Sequence, residues 1–286
     1  TTFMTDKGTY CYTAMSFGLR NARATYQRLV NRMFKERLGD IMEVYIDDMV
    51  VKSKKVSDHV KHLAIAFDIL REYNMKLNSS KCHFGVSLGK FLGYMITKRG
   101  IEAIPEQIKA IIDLESPKSV KDVQKLTERV AALNRFISRS SERCKVFYDT
   151  LKRNTKFEGS AEHEAAFQQL KEYLSSPPLL SKTEKGEPLS LYLLVTEHAG
   201  SAVLVKEVDG LQHPIYYVSK SFLSAETRYS ILERYVLTLI MSCVKLRPYV
   251  EGHYIYVKTN LPIKAMLRKP NLLGRMYKWS VQLSTY

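Results

Sequence analysis

The sequence predicts an α+β fold in three consecutive segments, because the spacing of its apolar residues changes twice along the chain. Residues 1–104 combine short hairpin-forming runs with two amphipathic helices. Residues 105–180 carry apolar residues at helical spacing. Residues 181–286 follow the pattern of three strands, a long helix, a fourth strand and a further helix. We therefore expect a mixed first segment, a helical second segment and a βββαβα third segment.

The first segment opens with a predicted hairpin that turns at Asp6-Lys7-Gly8. A helix is predicted from Ala22 to the Gly39-Asp40 pair, and a second helix is predicted after a cap at Ser57 or Asp58. The predicted inward face is Tyr26, Leu29, Val30, Met33 and Phe34 in the first helix, and Val60, Leu63, Phe67, Leu70 and Tyr73 in the second. A short strand over Met75–Asn78 and a hairpin of Lys81–Val86 with Lys90–Ile96 complete the segment.

Two adjacent carboxylates, Asp47 and Asp48, lie between the two predicted helices. Apolar, β-branched-rich residues flank them on both sides, which predicts a tight hairpin with the pair at its tip. Carboxylates this close repel each other, so a shared proton or a bound cation is expected. Mg²⁺ prefers such oxygen ligands, and paired metals of this kind serve in-line displacement at phosphorus. The alternative is an ordinary turn, in which Asp is common because it bonds its own backbone.

The charge of the chain favours a polyanionic partner. The 286 residues contain 44 Lys and Arg against 29 Asp and Glu, a net charge of +15. The basic residues are spread along the chain, which favours a groove formed by the fold over a disordered arm. Arg20, Arg23, Arg28, Arg32 and Lys35 lie largely off the apolar face of the first helix, either as solvated surface or as a face toward nucleic-acid phosphates.

The four cysteines lie far apart and show no zinc-binding spacing, which is typical of unpaired thiols in a reducing compartment. We find no signal peptide, transit peptide or apolar run of membrane length, so we expect an intracellular location, cytoplasmic or nuclear, without a membrane partner. The chain begins without methionine in what reads as a strand, which predicts that it is part of a longer protein.

The second segment is predicted to contain three helices. The first begins at Pro105, a favoured residue at that position. Ser119 is expected to cap the second, and the third covers about 162–174 until Ser175-Ser176-Pro177-Pro178 ends it. The third segment is predicted to place strands at Leu189–Thr196, Ser201–Glu207, Gln212–Ser221 and Tyr254–Thr259, a long helix at about Glu226–Arg247 and a helix from Pro262.

Four motifs occur in a fixed order: Met-x-Phe-Gly-Leu-x-Asn-Ala-x-Ala-x-x-Gln from Met15, Tyr-Ile-Asp-Asp from Tyr45, Lys-Cys-x-Phe from Lys81 and Phe-Leu-Gly-Tyr from Phe91. Together they resemble the Pol polyprotein of gypsy-type LTR retrotransposons, especially those of plants, over essentially the whole chain. The resemblance implies that residues 1–104 are the second half of a reverse transcriptase palm. It also implies that residues 105–180 are the thumb and connection along a nucleic-acid duplex, and that residues 181–286 are a ribonuclease-H-like domain.

The resemblance implies roles for the matched residues. Asp47 and Asp48 would be two of three metal-binding palm carboxylates, with the third on a strand upstream of Thr1. Mg²⁺ would therefore bind fully only with that upstream residue, and we expect no polymerisation by this chain alone. The residues implied to contact template, primer or nucleotide are Phe17, Gly18, Gln27, Tyr45, Ile46, Lys81, Leu92 and Gly93. Ser16 and Arg23 replace prolines that are usual in the family. The implied partners are an RNA/DNA template–primer and the rest of the Pol polyprotein.

A ribonuclease H centre also needs a cluster of carboxylates for two Mg²⁺ ions. Counting back from Ala202-Val203-Leu204 places the first-strand position at Leu194, and the matching helix and fourth-strand positions at Tyr235 and Asn260. None of these is acidic, so we expect the domain to lack nuclease activity. The alternative is a working nuclease that uses Glu197, which requires an odd register shift.

Two functions stay open at this stage. One is the back half of an RNA-directed DNA polymerase, active when joined to its upstream half. The other is a non-catalytic, retrotransposon-derived remnant that at most binds nucleic acid.

Overall fold

The computed structural model describes residues 2–15, 18–153, 159–184, 186–269 and 274–286, which form two compact units. The first unit comprises residues 1–87 and 91–93, and the second comprises residues 88–90 and 94–286. Helices and sheets occur in both, as the predicted α+β class requires. The expected three-segment division at residues 104 and 180 stays a prediction.

The first unit is built from two hairpins and two helices. Its elements are β1 (Thr2–Thr5), β2 (Gly8–Cys11), α1 (Ala22–Met33), β3 (Met42–Tyr45), β4 (Asp48–Val51) and α2 (Val56–Glu72). The β1–β2 hairpin turns at the predicted residues. Apolar side chains from α1, β3 and α2 form one core, which contains Val30, Met33, Phe34, Ile41, Met42, Val44, Ala66 and Leu70. This core anchors the base of the β3–β4 hairpin between the two helices.

Several predictions for the first unit are wrong. Leu29 is exposed and Val60 is 75% exposed, although both were assigned to inward faces. The helix α2 begins at Val56, before the predicted cap residues. No strand forms over Met75–Asn78, which leads instead into a 3₁₀ turn at Ser79–Lys81.

The predicted hairpin between Lys81–Val86 and Lys90–Ile96 is also wrong. The observed hairpin joins β5 (Gly89–Phe91) to β6 (Tyr94–Ile96) through Leu92 and Gly93. Both turn residues have positive φ, at 53° and 78°, as a two-residue hairpin loop requires. The turn conformation therefore decides the pairing, and the apolar run at residues 82–86 stays irregular.

The second unit first forms a four-stranded sheet and a helical layer. The sheet order is β5-β6-β7-β8, with β7 at Gly100–Glu102 and β8 at Leu180–Ser181. The helices are α3 (Pro105–Ile112), α4 (Val120–Ala132), α5 (Ser140–Arg143), α6 (Lys145–Arg153) and α7 (Ala161–Ser175). Ser119 caps α4 as predicted, because its hydroxyl accepts from the Asp122 amide. The helices share a core that includes Leu126, Phe136, Phe147 and Phe167.

The rest of the second unit has the predicted βββαβα order, with a short extra helix before the fourth strand. Its elements are β9 (Leu189–Val195), β10 (Ala199–Val208), β11 (Leu211–Ser221), α8 (Ile231–Lys245), α9 (Arg247–Gly252), β12 (Ile255–Lys258), α10 (Ile263–Leu267) and α11 (Gly274–Leu283). The sheet order is β11-β10-β9-β12, and β12 lies parallel to β9 at the edge. The helix α8 begins later than predicted because Ser230 and Glu233 form a capping box at its start.

None of the helices in the described part of the chain is long and apolar enough to cross a membrane. The four cysteine thiols are all unpaired. Burial raises the pKa of the Cys144 thiol to about 12 and that of Cys243 to about 11. These two cysteines therefore act as small apolar core residues and carry no reactive thiolate near neutral pH.

Two valines on α8 test the packing of the ribonuclease-H-like core. Val236 is fully buried, whereas Val244 on the same helix is 51% exposed. Val236→Ala removes two buried methyl groups and leaves a cavity, so we expect a loss of about 2 kcal/mol in the free energy of unfolding. Val244→Ala is the matched control and should change it by less than about 0.5 kcal/mol. Denaturant titration measures both, and equal losses would contradict the assigned faces of α8.

Candidate active site

The two adjacent carboxylates lie at the tip of the β3–β4 hairpin. Tyr45 pairs with Asp48 at the end of the ladder, and Ile46 and Asp47 form the two-residue turn. Asp47, Asp48 and the Tyr45 side chain are exposed, while the base of β3 is buried. The hairpin is as predicted, except that Ile46 belongs to the turn and not to the incoming strand. The structure thus presents two anionic groups together on a short, anchored platform.

Ile46 has a φ of 53°, which is rare for a β-branched residue. Such a backbone conformation costs on the order of 1–3 kcal/mol and persists only where the surroundings enforce it. The sequence offers no glycine or asparagine at this position to relieve the strain. The turn therefore needs support from elsewhere in the unit.

Gln27 supplies that support from α1. The Ile46 amide donates to Gln27 Oε1 at 2.6 Å, and Gln27 Nε2 donates to the Val44 carbonyl at 3.1 Å. Gln27 Nε2 also donates to Asn31 Oδ1 at 2.8 Å, which fixes the amide orientation. One side chain thus holds the backbone on both sides of Tyr45. Sequence reasoning assigned Gln27 to template or nucleotide contact, whereas the structure shows its amide bonded to the hairpin.

Tyr26, the residue before Gln27 in α1, is affected by the charge at the hairpin tip. Burial, and secondarily the negative charge of Asp47, raise the pKa of the Tyr26 phenol. Both effects disfavour the charged phenolate, so Tyr26 is a neutral residue at the hairpin.

Two polar clusters fix the base of the same hairpin. Lys52 Nζ contacts Glu43 Oε1 at 2.7 Å and donates to the Gly39 carbonyl at 3.0 Å. Ser53 Oγ lies 3.0 Å from His59 Nδ1 and 2.7 Å from His62 Nδ1, so a hydroxyl joins the end of β4 to the first turns of α2. Sequence reasoning missed the serine–histidine cluster, whose only signal was two histidines three residues apart, shortly after a serine.

The carboxylates at the tip fit a divalent cation by donor type but are too few to enclose one. Oxygen donors suit Mg²⁺, which keeps several waters and takes one or two carboxylates in many protein sites. Across the described residues, no group of three or more His, Cys, Asp or Glu side chains is placed to hold a metal ion. Asp47 and Asp48 thus provide two neighbouring oxygen donors at the hairpin tip.

The other residues assigned to nucleic-acid contact are not all described. Phe17 lies outside the described residues. Gly18 has a φ of 89° with open space around it, so its backbone conformation alone requires glycine. Lys81 is exposed in a 3₁₀ turn and not in a strand as predicted. Leu92 and Gly93 form the turn of the β5–β6 hairpin.

Two family models match the chain. A model of reverse transcriptase (RNA-dependent DNA polymerase) matches residues 1–96, and one of an RNase H-like domain found in reverse transcriptase matches residues 160–257. The retrovirus-related Pol polyprotein from the Drosophila melanogaster transposon opus is 30% identical across the whole chain, and that from transposon 297 is 29% identical. The Tf2-3 transposon polyprotein of Schizosaccharomyces pombe is 28% identical over 96% of the chain.

These matches support a fragment of an LTR retrotransposon Pol polyprotein. The family inferred from the four motifs is thereby confirmed, and the chain corresponds to reverse transcriptase and RNase H-like parts of such a protein. It spans 30%, 27% and 20% of the lengths of the three relatives. Reverse transcriptases in general depend on divalent metals.

Solved structures share the fold of this Pol chain. A foamy viral protease–reverse transcriptase in complex with an RNA/DNA hybrid matches 99% of the chain with a TM-score of 0.82 and 23% identity, over 39% of that protein. A second foamy viral structure, in complex with double-stranded DNA, matches the whole chain with a TM-score of 0.80 and 22% identity, over 51% of that protein. The α+β architecture is therefore one that solved reverse transcriptases adopt.

The RNase H-like part does not bring Leu194, Tyr235 and Asn260 together. Leu194 pairs with Ser201 of β10, whose hydroxyl bonds to Ser219 on the face of the sheet away from α8. Tyr235 is a residue of α8 and packs against the core between α8 and the opposite face of the sheet. Asn260 lies just beyond β12. Counting along the sequence therefore chose the wrong face of β9 for the first position, since one residue shifts a side chain across the sheet.

The residue of β9 that faces α8 at this end is Val195. It pairs with Gly200, where an added Cβ would collide with the Thr238 side chain of α8. Arg234 of α8 donates from Nη1 to the Thr196 carbonyl at 2.7 Å, and its buried Nε has no hydrogen-bond partner among the described residues. An apolar side chain and a guanidinium thus lie at the end of β9 beside α8.

Glu197 lies in the exposed turn between β9 and β10 and lines a cleft of about 590 Å³. Glu142 and Asp149 line the same cleft. Glu142 contacts Arg139 Nε at 2.7 Å, and Asp149 lies 3.6 Å and 3.8 Å from two lysine ammonium groups. The acids of this cleft are thus engaged largely by basic side chains of their own helices.

The support of the hairpin by Gln27 can be tested by hydrogen exchange. Gln27→Ala removes the acceptor of the Ile46 amide, so we expect that amide to exchange about five to ten times faster, as the loss of about 1 kcal/mol predicts. Arg28→Ala is the control, because this exposed residue follows Gln27 in α1 and shows no hydrogen bond to the hairpin among the described residues. Amide exchange followed by NMR measures both variants. Unchanged exchange at Ile46 in Gln27→Ala would contradict the proposed brace.

Proposed function

We propose that this chain forms the catalytic hairpin, thumb and connection of an RNA-directed DNA polymerase that copies a retrotransposon template. The observation that carries the proposal is the Asp47-Asp48 pair, presented at the tip of a hairpin that Gln27 braces in a strained conformation. Strain of this kind concentrates at functional sites, where the surrounding structure enforces it.

The proposed substrate is an RNA/DNA template–primer. The net charge of +15 provides the sequence-independent attraction that phosphates require. The foamy viral relatives of known structure are in complex with an RNA/DNA hybrid and with double-stranded DNA, which supports the same class of partner here. We assign the Tyr45 side chain, which is exposed beside the carboxylates, to contact with the primer end.

Asp47 and Asp48 are the residues that would hold Mg²⁺, together with a third carboxylate from another part of the Pol polyprotein. Bound divalent metal supplies charge stabilisation for an in-line displacement at phosphorus. The contribution of this chain is to hold the hairpin that carries the two carboxylates in a fixed conformation through Gln27. The unpaired thiols support an intracellular site of action.

Primer extension tests the polymerase proposal. In a Pol protein that includes the sequence upstream of this chain, we expect Asp47→Asn or Asp48→Asn to lower templated synthesis by at least about a thousandfold, since a metal ligand of this kind contributes several kcal/mol to the transition state. Asp40→Asn is the control, because this exposed acid lies before the same hairpin and outside the pair.

The same assay on the 286-residue chain alone should show no templated synthesis. Full activity of the Asp47→Asn variant, or templated synthesis by the chain alone, would overturn the proposed role of the pair.

We further propose that the RNase H-like domain is structural and does not cleave RNA. Incubation of the 286-residue chain with an RNA/DNA hybrid and Mg²⁺ should leave the RNA intact, because Val195 and Arg234 lie where the end of β9 meets α8. Gel analysis of end-labelled RNA measures this. Cleavage that disappears in Glu197→Gln would show a working nuclease and contradict the proposal.

A further inference from the structure

The strand pair β9–β12 has one face turned away from α8. Leu189, Leu191 and Ile255 pack in the core beneath α8. The alternate residues lie on the opposite face, where Tyr256 pairs with Ser190 and Lys258 pairs with Tyr192. Leu194, on the same face, is 42% exposed. This half of the face is therefore open to solvent.

Two tyrosines dominate the exposed surface of the edge strand. Tyr254 is 79% exposed and Tyr256 is 59% exposed. The Leu189 amide donates to the Tyr254 carbonyl at 2.9 Å, so Tyr254 continues the ladder and lies on the same face as Tyr256. Lys258 follows at the next position on this face, with its ammonium 5.9 Å from the centre of the Tyr256 ring. We call Tyr254, Tyr256 and Lys258 the edge stripe.

The spacing of the edge stripe matches stacked bases. Alternate residues of a strand lie about 6.6–6.8 Å apart. Stacked bases rise about 3.4 Å each. One base can therefore enter between the two rings, or successive bases can stack on each ring. Solvent-exposed aromatic rings on a sheet, combined with basic side chains, form such platforms because every base has a π-face.

The C-terminal part of the sequence, which includes the edge stripe, carries only basic charged residues. The last acidic residue of the chain is Glu251. Residues 252–286 contain no Asp or Glu and six basic residues, which are Lys258, Lys264, Arg268, Lys269, Arg275 and Lys278. Within the edge stripe itself, two exposed tyrosine rings and the Lys258 ammonium form a combination that is complementary to a flexible polyanion with exposed rings.

We propose that the edge stripe binds single-stranded nucleic acid, RNA or DNA. The proposal rests on the proposed function only in taking nucleic acid as the partner, and it adds a single-strand contact apart from the catalytic hairpin. The edge strand itself has four residues and carries a lysine, features that disfavour pairing with a second copy of the chain.

Fluorescence anisotropy with labelled single-stranded RNA and DNA oligonucleotides of one mixed sequence tests the proposal on the 286-residue chain. Tyr254→Ala/Tyr256→Ala should weaken single-strand binding at least about tenfold. Tyr254→Phe/Tyr256→Phe keeps both rings and should bind within about twofold of the unaltered chain. Tyr73→Ala, an exposed tyrosine of the first unit, is the control for general loss of aromatic surface. The RNA and DNA arms show which strand is preferred.

A second measurement separates the lysine from the rings. Lys258→Gln should reduce the slope of log affinity against log salt by about 0.7, the value for one phosphate contact on a single strand. Circular dichroism and thermal melting confirm that each variant is folded, as the exposure of the three side chains predicts.

The outcomes distinguish this proposal from the polymerase proposal. Absence of single-strand binding, equal affinity of the Tyr→Ala and unaltered chains, or loss of affinity in the Tyr→Phe variant would overturn it, whatever primer extension shows. Analytical sedimentation tests the remaining alternative, which is self-association of the chain. If the unaltered chain is a dimer and the Tyr→Ala variant is a monomer with unchanged nucleic-acid affinity, the edge stripe binds a second copy of the chain and the proposal is wrong. A failed primer-extension test with intact ring-dependent binding would leave the edge stripe standing.

Discussion

The candidate active site depends on one amide side chain. The Gln27 amide accepts a hydrogen bond from the Ile46 N–H and donates one to the Val44 carbonyl. These two bonds lie on either side of Tyr45. Without them, a β-branched residue with positive φ would relax toward an ordinary extended conformation. The turn that carries Asp47, next to Asp48 at the start of β4, would then change conformation. A residue on a helix therefore sets the geometry of a turn that lies 19 positions away in sequence.

The β3–β4 hairpin and the corner between β9 and α8 differ in their side chains. The hairpin keeps two carboxylates exposed on a strained turn. The RNase H-like sheet instead closes against α8 through Gly200 and Thr238, with Val195 on the same face. Packing of this kind stabilises the fold without any metal, because close contacts between side chains and backbone fill the corner between the sheet and α8.

Much of the architecture could be predicted because local signals were strong. The turn at Asp6-Lys7-Gly8, the cap at Ser119 and the βββαβα order all follow from periodicity and turn residues. The exposure of Val60 could not be predicted, because helical spacing of apolar residues does not show how far the core extends along the helix.

The differences at candidate functional positions have another origin. The face of Leu194 depends on the register of the β9–β10 ladder, in which one residue moves a side chain across the sheet. The hydrogen bonds between Gln27 and the hairpin join elements distant in sequence, which no local pattern encodes. The hairpin carboxylates could be placed because both their flanks and their turn are local.

The guanidinium of Arg234 determines the electrostatics of the corner between β9 and α8. It is hydrogen-bonded to the end of β9, and part of it is buried without a hydrogen-bond partner in the described part of the chain. A divalent ion entering that corner would meet a fixed positive charge at close range, and a new acid there would pair with the arginine before it could bind a metal. The corner between β9 and α8 is therefore a place where the resident cation opposes metal binding, and a carboxylate introduced there alone would form an ion pair with the arginine.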